Sequence, residues 1–151
     1  MAASAWIFYN SFKKFMGDST IDLGGDTFRL GLYNTSSNAQ TVTLSTRASL
    51  TNEISVQFGY VVGGNTITGV TWTVGASASE YRFDATSVIF SASGGSISAV
   101  RFAVVYDEST GTSAGNRKVC MSASLSTAQF AVSAGNTLTI TPSSNGIFEL
   151  N

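Results

Sequence analysis

The chain has 151 residues, of which 43% are hydrophobic and only 11% charged, with a formal net charge of −1 and no histidine. A chain of this length fits one domain, and its lack of a basic stripe excludes the cationic surface that nucleic-acid binding needs. The single cysteine, Cys120, excludes an internal disulfide framework, and with no histidine it argues against a zinc site.

The low charge has two interpretations, because an ordinary soluble domain carries charge at about a quarter of its positions. The chain is either a β-protein kept soluble by Ser, Thr, Asn and Gly, or a subunit whose surface largely contacts other protein. The second is favoured, since extended uncharged surface promotes association. The sequence contains no run of eighteen apolar residues, so we expect no membrane-spanning helix. Its N-terminus has no secretory signal pattern, so we expect synthesis in the cytosol.

The first segment predicts an amphipathic helix over Ser4–Met16, with Ser4 as its N-cap. Its apolar side chains recur at helical spacing, and two alternatives follow. The helix either docks on its own domain or anchors the subunit to a neighbour. The large apolar residues of this stripe are Trp6, Phe8, Tyr9, Phe12, Phe15 and Met16.

The remainder of the chain predicts short strands joined by Gly, Ser and Asn turns. Residues 18–26 form a turn-rich loop whose aspartates lack the ligand spacing of a calcium loop. Gly63 and Gly64 are predicted to close a hairpin, and residues 45–54 are ambiguous. The predicted strands cover residues 27–33, 40–44, 60–62, 66–74, 80–83, 88–90, 97–106, 118–125, 129–132, 137–141 and 146–150.

The segment 97–106 is the predicted central strand, because apolar residues occupy both of its faces. Arg101 interrupts one face and needs a partner, since an unpaired buried charge is costly. Glu80 or Asp84 of a neighbouring strand would supply that partner within the chain. The alternative is a carboxylate across a subunit contact.

These elements predict an all-β fold: an antiparallel β-sandwich, jelly-roll-like, with one short N-terminal α-helix. We expect a single domain over residues 1–151. Residues 1–17 form its amphipathic helix and residues 18–151 its sandwich.

The sequence offers little catalytic chemistry. Without histidine the common nucleophilic triads are absent, and nothing in the pattern makes Asp84, Asp107 or Glu108 converge as paired carboxylates. We therefore expect no enzyme, no cofactor and no metal. Trp72 and Tyr81 are candidates for a sugar-stacking platform, although core packing is the commoner fate of such residues.

The order of the segments resembles a family of small virion proteins of tailed bacteriophages. The resemblance covers nearly the whole chain and is carried by an ordered series rather than by one specific motif. The matching stretches are Trp6–Phe15 (WIFYNSFKKF), Gly17–Leu23, Asp26–Tyr33, Gly59-Tyr60, Gly63–Asn65, Phe83–Ala85, Val88–Phe90, Gly94–Ile97, Ala103–Asp107 and Gly146–Phe148.

The resemblance implies a structural protein of the phage particle, in particular a head decoration (cement) protein on the outer surface of the shell. Its expected partners are the major capsid protein and copies of itself as a homo-oligomer, with no nucleic acid and no membrane. The alternative is a tail or fibre component that binds a host glycan. Since aromatic residues dominate interfaces, the expected contact residues are Trp6, Phe8, Tyr9, Phe12 and Phe15, together with Arg101.

Overall fold

Antiparallel strands make up most of the structure, a computed structural model that describes residues 4–151. They form a five-stranded sheet, a three-stranded sheet and two strand pairs. The fold is therefore all-β and sandwich-like, with one short α-helix in the described residues, as the strand pattern predicts. In chain order the elements are β1 (Ile7–Phe8), α1 (Asn10–Gly17), β2 (Phe28–Tyr33), β3 (Asn65–Thr66), β4 (Thr71–Val74), β5 (Tyr81–Asp84), β6 (Val88–Ser91), β7 (Ile97–Val100), β8 (Phe102–Asp107), β9 (Val119–Ser124), β10 (Phe130–Val132), β11 (Thr137–Ile140) and β12 (Phe148–Leu150).

The largest sheet has the strand order β1-β9-β8-β2-β3, which places β8 at its centre. All six residues of β8 are buried, as expected for a strand with packed layers on both faces. Val105 of β8 lies opposite Leu30 of β2, and Val104 lies opposite Ser122 of β9. The predicted central strand is confirmed for this part of the segment.

The predicted strand over residues 97–106 is not continuous, because it divides at Arg101. β7 ends at Val100 and pairs with β10, whereas β8 begins at Phe102 and joins the large sheet. Ala99 has a φ of 65°, a left-handed conformation that interrupts the regular pleat. The chain therefore passes from one sheet to another at this point.

Aromatic rings connect the large sheet to the three-stranded sheet, whose order is β12-β5-β4. Phe28 of β2 meets Phe83 of β5 edge to face, with ring centroids 5.2 Å apart. Phe83 in turn lies 5.4 Å from Phe148 of β12, and all three rings are buried. Burial contributes about 1.5–3 kcal/mol for each such side chain, so this cluster is a main source of stability.

The N-terminal helix is shorter than the sequence pattern predicts. The Ser4 amide donates to the Ser124 carbonyl at 2.8 Å, and β1 continues this pairing along β9. α1 begins only at Asn10, so the predicted helix over Ser4–Met16 and its Ser4 N-cap are wrong. The open edge of β9 offers backbone partners that these residues take instead. Residues 1–3 of the predicted helical segment lie outside the described residues, and none of the described helices is long and apolar enough to cross a bilayer.

Two further local predictions are wrong. Residues 40–44 form turns instead of a strand. Gly63 and Gly64 do not close a hairpin, since both are buried and the following β3 pairs with β2. A Cβ on Gly64 would lie 1.8 Å from the Leu30 carbonyl oxygen, so this position admits only glycine.

Candidate protein-interaction surface

Exposed apolar side chains gather in the connection between β2 and β3. Val56, Val61 and Phe58, at 68%, 58% and 53%, are the three most exposed large apolar side chains of the described residues. Val62 is 48% exposed. We call residues 56–62 the apolar loop. A group of such side chains on one loop indicates a surface that binds another molecule.

A tight turn gives the apolar loop its shape. Gln57 and Tyr60 exchange backbone hydrogen bonds of 3.1 and 2.7 Å, so Phe58 and Gly59 form the tip of a two-residue hairpin. Side chains that flank a paired position point to the opposite face. The Tyr60 side chain points into the protein, where it is 1% exposed, and Val61, next to it, therefore points into solvent. Val62 is exposed because it lies in a second turn, closed by the hydrogen bond from the Gly64 amide to the Val61 carbonyl at 2.9 Å.

Polar contacts hold the tip of the loop on β7 and on the turn that precedes it. Gln57 Oε1 accepts hydrogen bonds from the Ser98 amide at 3.1 Å and the Ser98 hydroxyl at 2.8 Å. The Ser93 amide donates to the Phe58 carbonyl at 2.9 Å. The Phe58 ring lies over Gly95, where an added Cβ would come within 2.5 Å of it. The loop is therefore fixed in place while much of the ring stays exposed.

A largely buried ion pair lies at the base of the loop. Arg47 Nη2 donates to Glu53 Oε2 at 2.9 Å, and the two side chains are 13% and 15% exposed. The other carboxylate oxygen, Oε1, accepts from the Tyr60 hydroxyl at 2.8 Å and from the Gly63 amide at 2.5 Å. We call Arg47, Glu53, Tyr60 and Gly63 the polar clamp. One carboxylate thus contacts the chain on both sides of Val61 and Val62.

The polar clamp is joined to the large sheet through the Gly63 carbonyl. Tyr106 of β8 donates its hydroxyl to this carbonyl at 2.6 Å, and Arg29 of β2 donates its Nε at 3.0 Å. The Arg47 guanidinium lies 5.2 Å from the centre of the Tyr106 ring, a favourable cation–π distance. Glu108 balances Arg29 at 3.3 Å. These contacts tie the loop to the two central strands.

The electrostatics of the polar clamp fit a structural role. Burial, and then the charge of Glu53, raise the pKa of Tyr60 far above its usual value, so its hydroxyl stays a donor. Burial alone disfavours the charge of Arg47, but the hydrogen bond and charge of Glu53 outweigh it and raise the Arg47 pKa. Neither group changes charge near neutral pH, and neither is suited to proton transfer.

The structure places two of the predicted aromatic contact residues in the core. Tyr9 and Phe12 are 1% and 0% exposed. Phe8 is half-buried, with its ring centroid 5.6 Å from that of Phe12 and 4.8 Å from that of Phe148. The helix thus docks on its own domain, the first of the two alternatives. Tyr9 and Phe12 are corrected to core residues that offer no surface to a neighbour.

Trp6 and Phe15 remain partly exposed. Trp6 borders a depression beside Leu125 and Ile140, and the Lys118 ammonium lies 5.3 Å from the centre of the Phe15 ring. The contact role predicted for Trp6, Phe8 and Phe15 stays a prediction.

Arg101 does not pair with Glu80 or Asp84 as predicted within the chain. Its guanidinium lies 5.2 Å from the centre of the Phe102 ring, and Nη1 is 3.5 Å from the Thr35 hydroxyl. Within residues 4–151 no carboxylate forms an ion pair with it. The alternative, a carboxylate across a subunit contact, stays a prediction.

Each of the three carboxylates considered for catalysis either lies near an arginine or is buried. Asp84 lies 3.8 Å from Arg82 and Glu108 lies 2.9 Å from Arg117, while Asp107 is fully buried. Across the described part of the chain, no group of three or more Asp, Glu, Cys or His side chains is placed to hold a metal ion. The predicted absence of enzymatic activity stays a prediction.

Sequence reasoning misses the apolar loop and the polar clamp. It assigns Val61 and Val62 to a strand, and it leaves Glu53 in an ambiguous segment. One usable signal is the Gly63-Gly64 pair beside two valines, because adjacent glycines allow a close approach of backbones. The contacts of Glu53 join distant segments and have no local pattern.

No protein-family model, curated protein or solved structure significantly matches the chain. The resemblance to phage virion proteins therefore stays a prediction.

Proposed function

We propose that the chain is a structural protein of a bacteriophage particle, a capsid decoration (cement) protein that binds and stabilises the head shell through protein–protein contacts. The observation that carries the proposal is the apolar loop held by the polar clamp. Its partners are the major capsid protein and copies of the chain itself. It acts on the outer surface of the head after synthesis in the host cytoplasm, without catalysis, cofactor, nucleic acid or membrane.

The rigidity of the loop supports binding to a protein surface. Ordering a mobile loop on binding costs free energy, which a loop already fixed by the polar clamp largely avoids. Val61 and Val62 stay exposed because the residues on either side of them, Tyr60 and Gly63, donate hydrogen bonds to Glu53. Burying their exposed parts against a partner contributes on the order of 1 kcal/mol each.

The size and composition of the surface support binding to a shell on which the same contact is repeated. An interface of standard size takes about 800 Å² from each partner. That is roughly a ninth of the chain's accessible surface of 7043 Å². On a symmetric shell the same modest contact is repeated, and linked copies bind more tightly than one alone. Charged residues, which resist burial in an interface, make up only 11% of the chain.

The proposal is tested by sedimentation with undecorated head shells of the phage that encodes the chain. The double variant Val61→Ser, Val62→Ser removes apolar surface without touching the polar clamp. We expect shell binding to weaken about tenfold or more, which corresponds to about 1.4 kcal/mol. Ile89→Ser, on β6 and 51% exposed, is the matched control and is expected to bind as the wild type does. Unchanged binding of the folded double variant contradicts the proposal.

A further inference from the structure

The apolar face of the three-stranded sheet continues past the end of the core. In β5, Tyr81 is two residues from the buried Phe83 and therefore points to the same face. The strand register places Tyr81 opposite Val74 of β4 and opposite Leu150 of β12. These three side chains are 47%, 50% and 42% exposed. They form a row across the whole sheet that no part of the described chain covers.

An aromatic ring joins this row to the core. Trp72 of β4 is half-buried, and its ring lies 6.0 Å from Phe148 on one side and 5.6 Å from Tyr81 on the other. The Trp72 and Tyr81 rings are inclined to each other by 34° and lie side by side at the edge of the core. We call Trp72, Val74, Tyr81 and Leu150 the aromatic shelf.

Two depressions lie next to each other on the aromatic shelf. The first has a volume of about 420 Å³ and is lined by Trp72, Tyr81 and Leu150 with the polar residues Ser79 and Asn151. The second, about 380 Å³, shares Trp72 and Leu150 and is walled by residues between 16 and 23. Both are open to solvent, so a ligand there lies along the surface and is not enclosed. Because they share two side chains, one elongated ligand reaches both.

The lining groups select the chemistry of that ligand. Aromatic rings bind flat apolar faces, and the hydroxyl of Ser79, the amide of Asn151 and the carboxylate of Asp22 supply hydrogen bonds around them. No Lys or Arg lines either depression, so neither offers a counter-charge to an anionic ligand. A pyranose sugar combines an apolar face of C–H groups with a rim of hydroxyls. It matches this arrangement, whereas a phosphate or sulfate does not.

We propose that the aromatic shelf binds a neutral oligosaccharide. One sugar ring stacks on Tyr81 and Trp72, and the next occupies the depression beside Asp22. The site lies on a different sheet from the apolar loop, and the proposal does not depend on capsid binding. A second copy of the chain is the competing occupant, and the test below separates the two.

The test is titration of the full chain with neutral tetrasaccharides of β-1,4-linked glucose, galactose and N-acetylglucosamine, with tetragalacturonate as the anionic comparison. Calorimetry gives the affinity, and the fluorescence of a Trp6→Phe variant, whose one tryptophan is Trp72, reports on the shelf. We expect at least one neutral sugar to bind and tetragalacturonate to bind more weakly. Tyr81→Ala is expected to weaken binding about tenfold, the loss of one aromatic contact. Ile89→Ala, at a side chain 51% exposed on β6, is the matched control and is expected to leave the affinity unchanged.

Three results overturn the proposal. The first is no binding of any of the three neutral sugars at millimolar concentration. The second is an unchanged affinity in Tyr81→Ala, with urea unfolding as the check that the variant is folded and Leu150→Ser as a second variant of the same row. The third is concentration-dependent self-association that Tyr81→Ala abolishes, which assigns the shelf to a second copy.

Discussion

Glu53 Oε2 lies 2.9 Å from Arg47 Nη2, directly under a loop whose valines face solvent. The contact is between side chains that water hardly reaches, so its charges are only weakly screened. Together with the bond from the Tyr60 hydroxyl, it explains how a loop with little regular structure holds apolar side chains at fixed positions.

Replacing Glu53 with alanine is expected to destabilise the protein by about 3 kcal/mol, because Arg47 then keeps a buried charge without its partner. The Tyr60 hydroxyl and the Gly63 amide lose their acceptor in the same variant. Urea unfolding measures the loss. Lys14→Ala, which removes the solvent-exposed pair with Asp18, is the control and is expected to change stability little. Equal losses in the two variants contradict a structural role for the polar clamp.

The close approach of Gly64 to β2 is tested by a pair of glycine variants. Gly64 and Gly135 have left-handed φ values of 66° and 82°, so alanine is strained at both. Only at Gly64 does the added Cβ collide, 1.8 Å from the Leu30 carbonyl oxygen, whereas nothing lies within 4 Å at Gly135. We expect Gly64→Ala to lose about 2 kcal/mol more than Gly135→Ala in urea unfolding. Similar losses would show that β2 yields freely to the loop.

We expect the free energy of unfolding to depend on pH because of Asp107. Its burial, and then the negative charge of Asp26, raise its pKa from 3.8 to about 6. The folded state therefore holds this proton more tightly than the unfolded state. The resulting contribution to stability is complete below about pH 4 and is lost as the pH rises to about 6.

Asp107→Asn removes this titration but keeps an oxygen for the Ser109 and Thr110 amides, which Asp107 Oδ1 accepts at 2.6 and 3.3 Å. We expect the variant to be more stable than the wild type near pH 8, by about 3 kcal/mol, and similar to it near pH 4. Urea unfolding at both pH values measures the difference. A difference that does not change with pH would contradict the raised pKa.

Two phenylalanines separate folding from binding. Phe12 is fully buried, and Phe12→Ala is expected to cost about 3–5 kcal/mol of stability. Phe58 is 53% exposed, and Phe58→Ala is expected to cost less than about 1 kcal/mol while weakening shell binding. Urea unfolding and shell sedimentation give the two readouts. A Phe58→Ala protein that is unstable, or that binds shells normally, is inconsistent with the proposed contact.

The sequence pattern predicts the fold class and the burial of β8, because alternating apolar residues report directly on which faces are covered. It does not predict the break at Arg101. The left-handed conformation of Ala99 is imposed by the surrounding sheets and is not a preference of alanine. The N-terminal segment shows the same limit. Its apolar spacing suits a helix, but Ser4 instead pairs with Ser124, 120 residues away.

The candidate surface is less predictable than the fold. Glu53 acts through Arg47, Tyr60 and Gly63, and the apolar loop is recognised as a surface only after its valines are seen to point outward. A stretch such as Tyr60-Val61-Val62 has the pattern of an ordinary strand. Only the tertiary contacts show that Val61 and Val62 belong to a loop.

The most direct test is a reconstruction of the phage particle that shows where the chain lies. We expect copies arranged over the head shell in register with its lattice, with the apolar loop against the major capsid protein. Copies confined to the tail, or head-bound copies whose loop faces solvent, would contradict it.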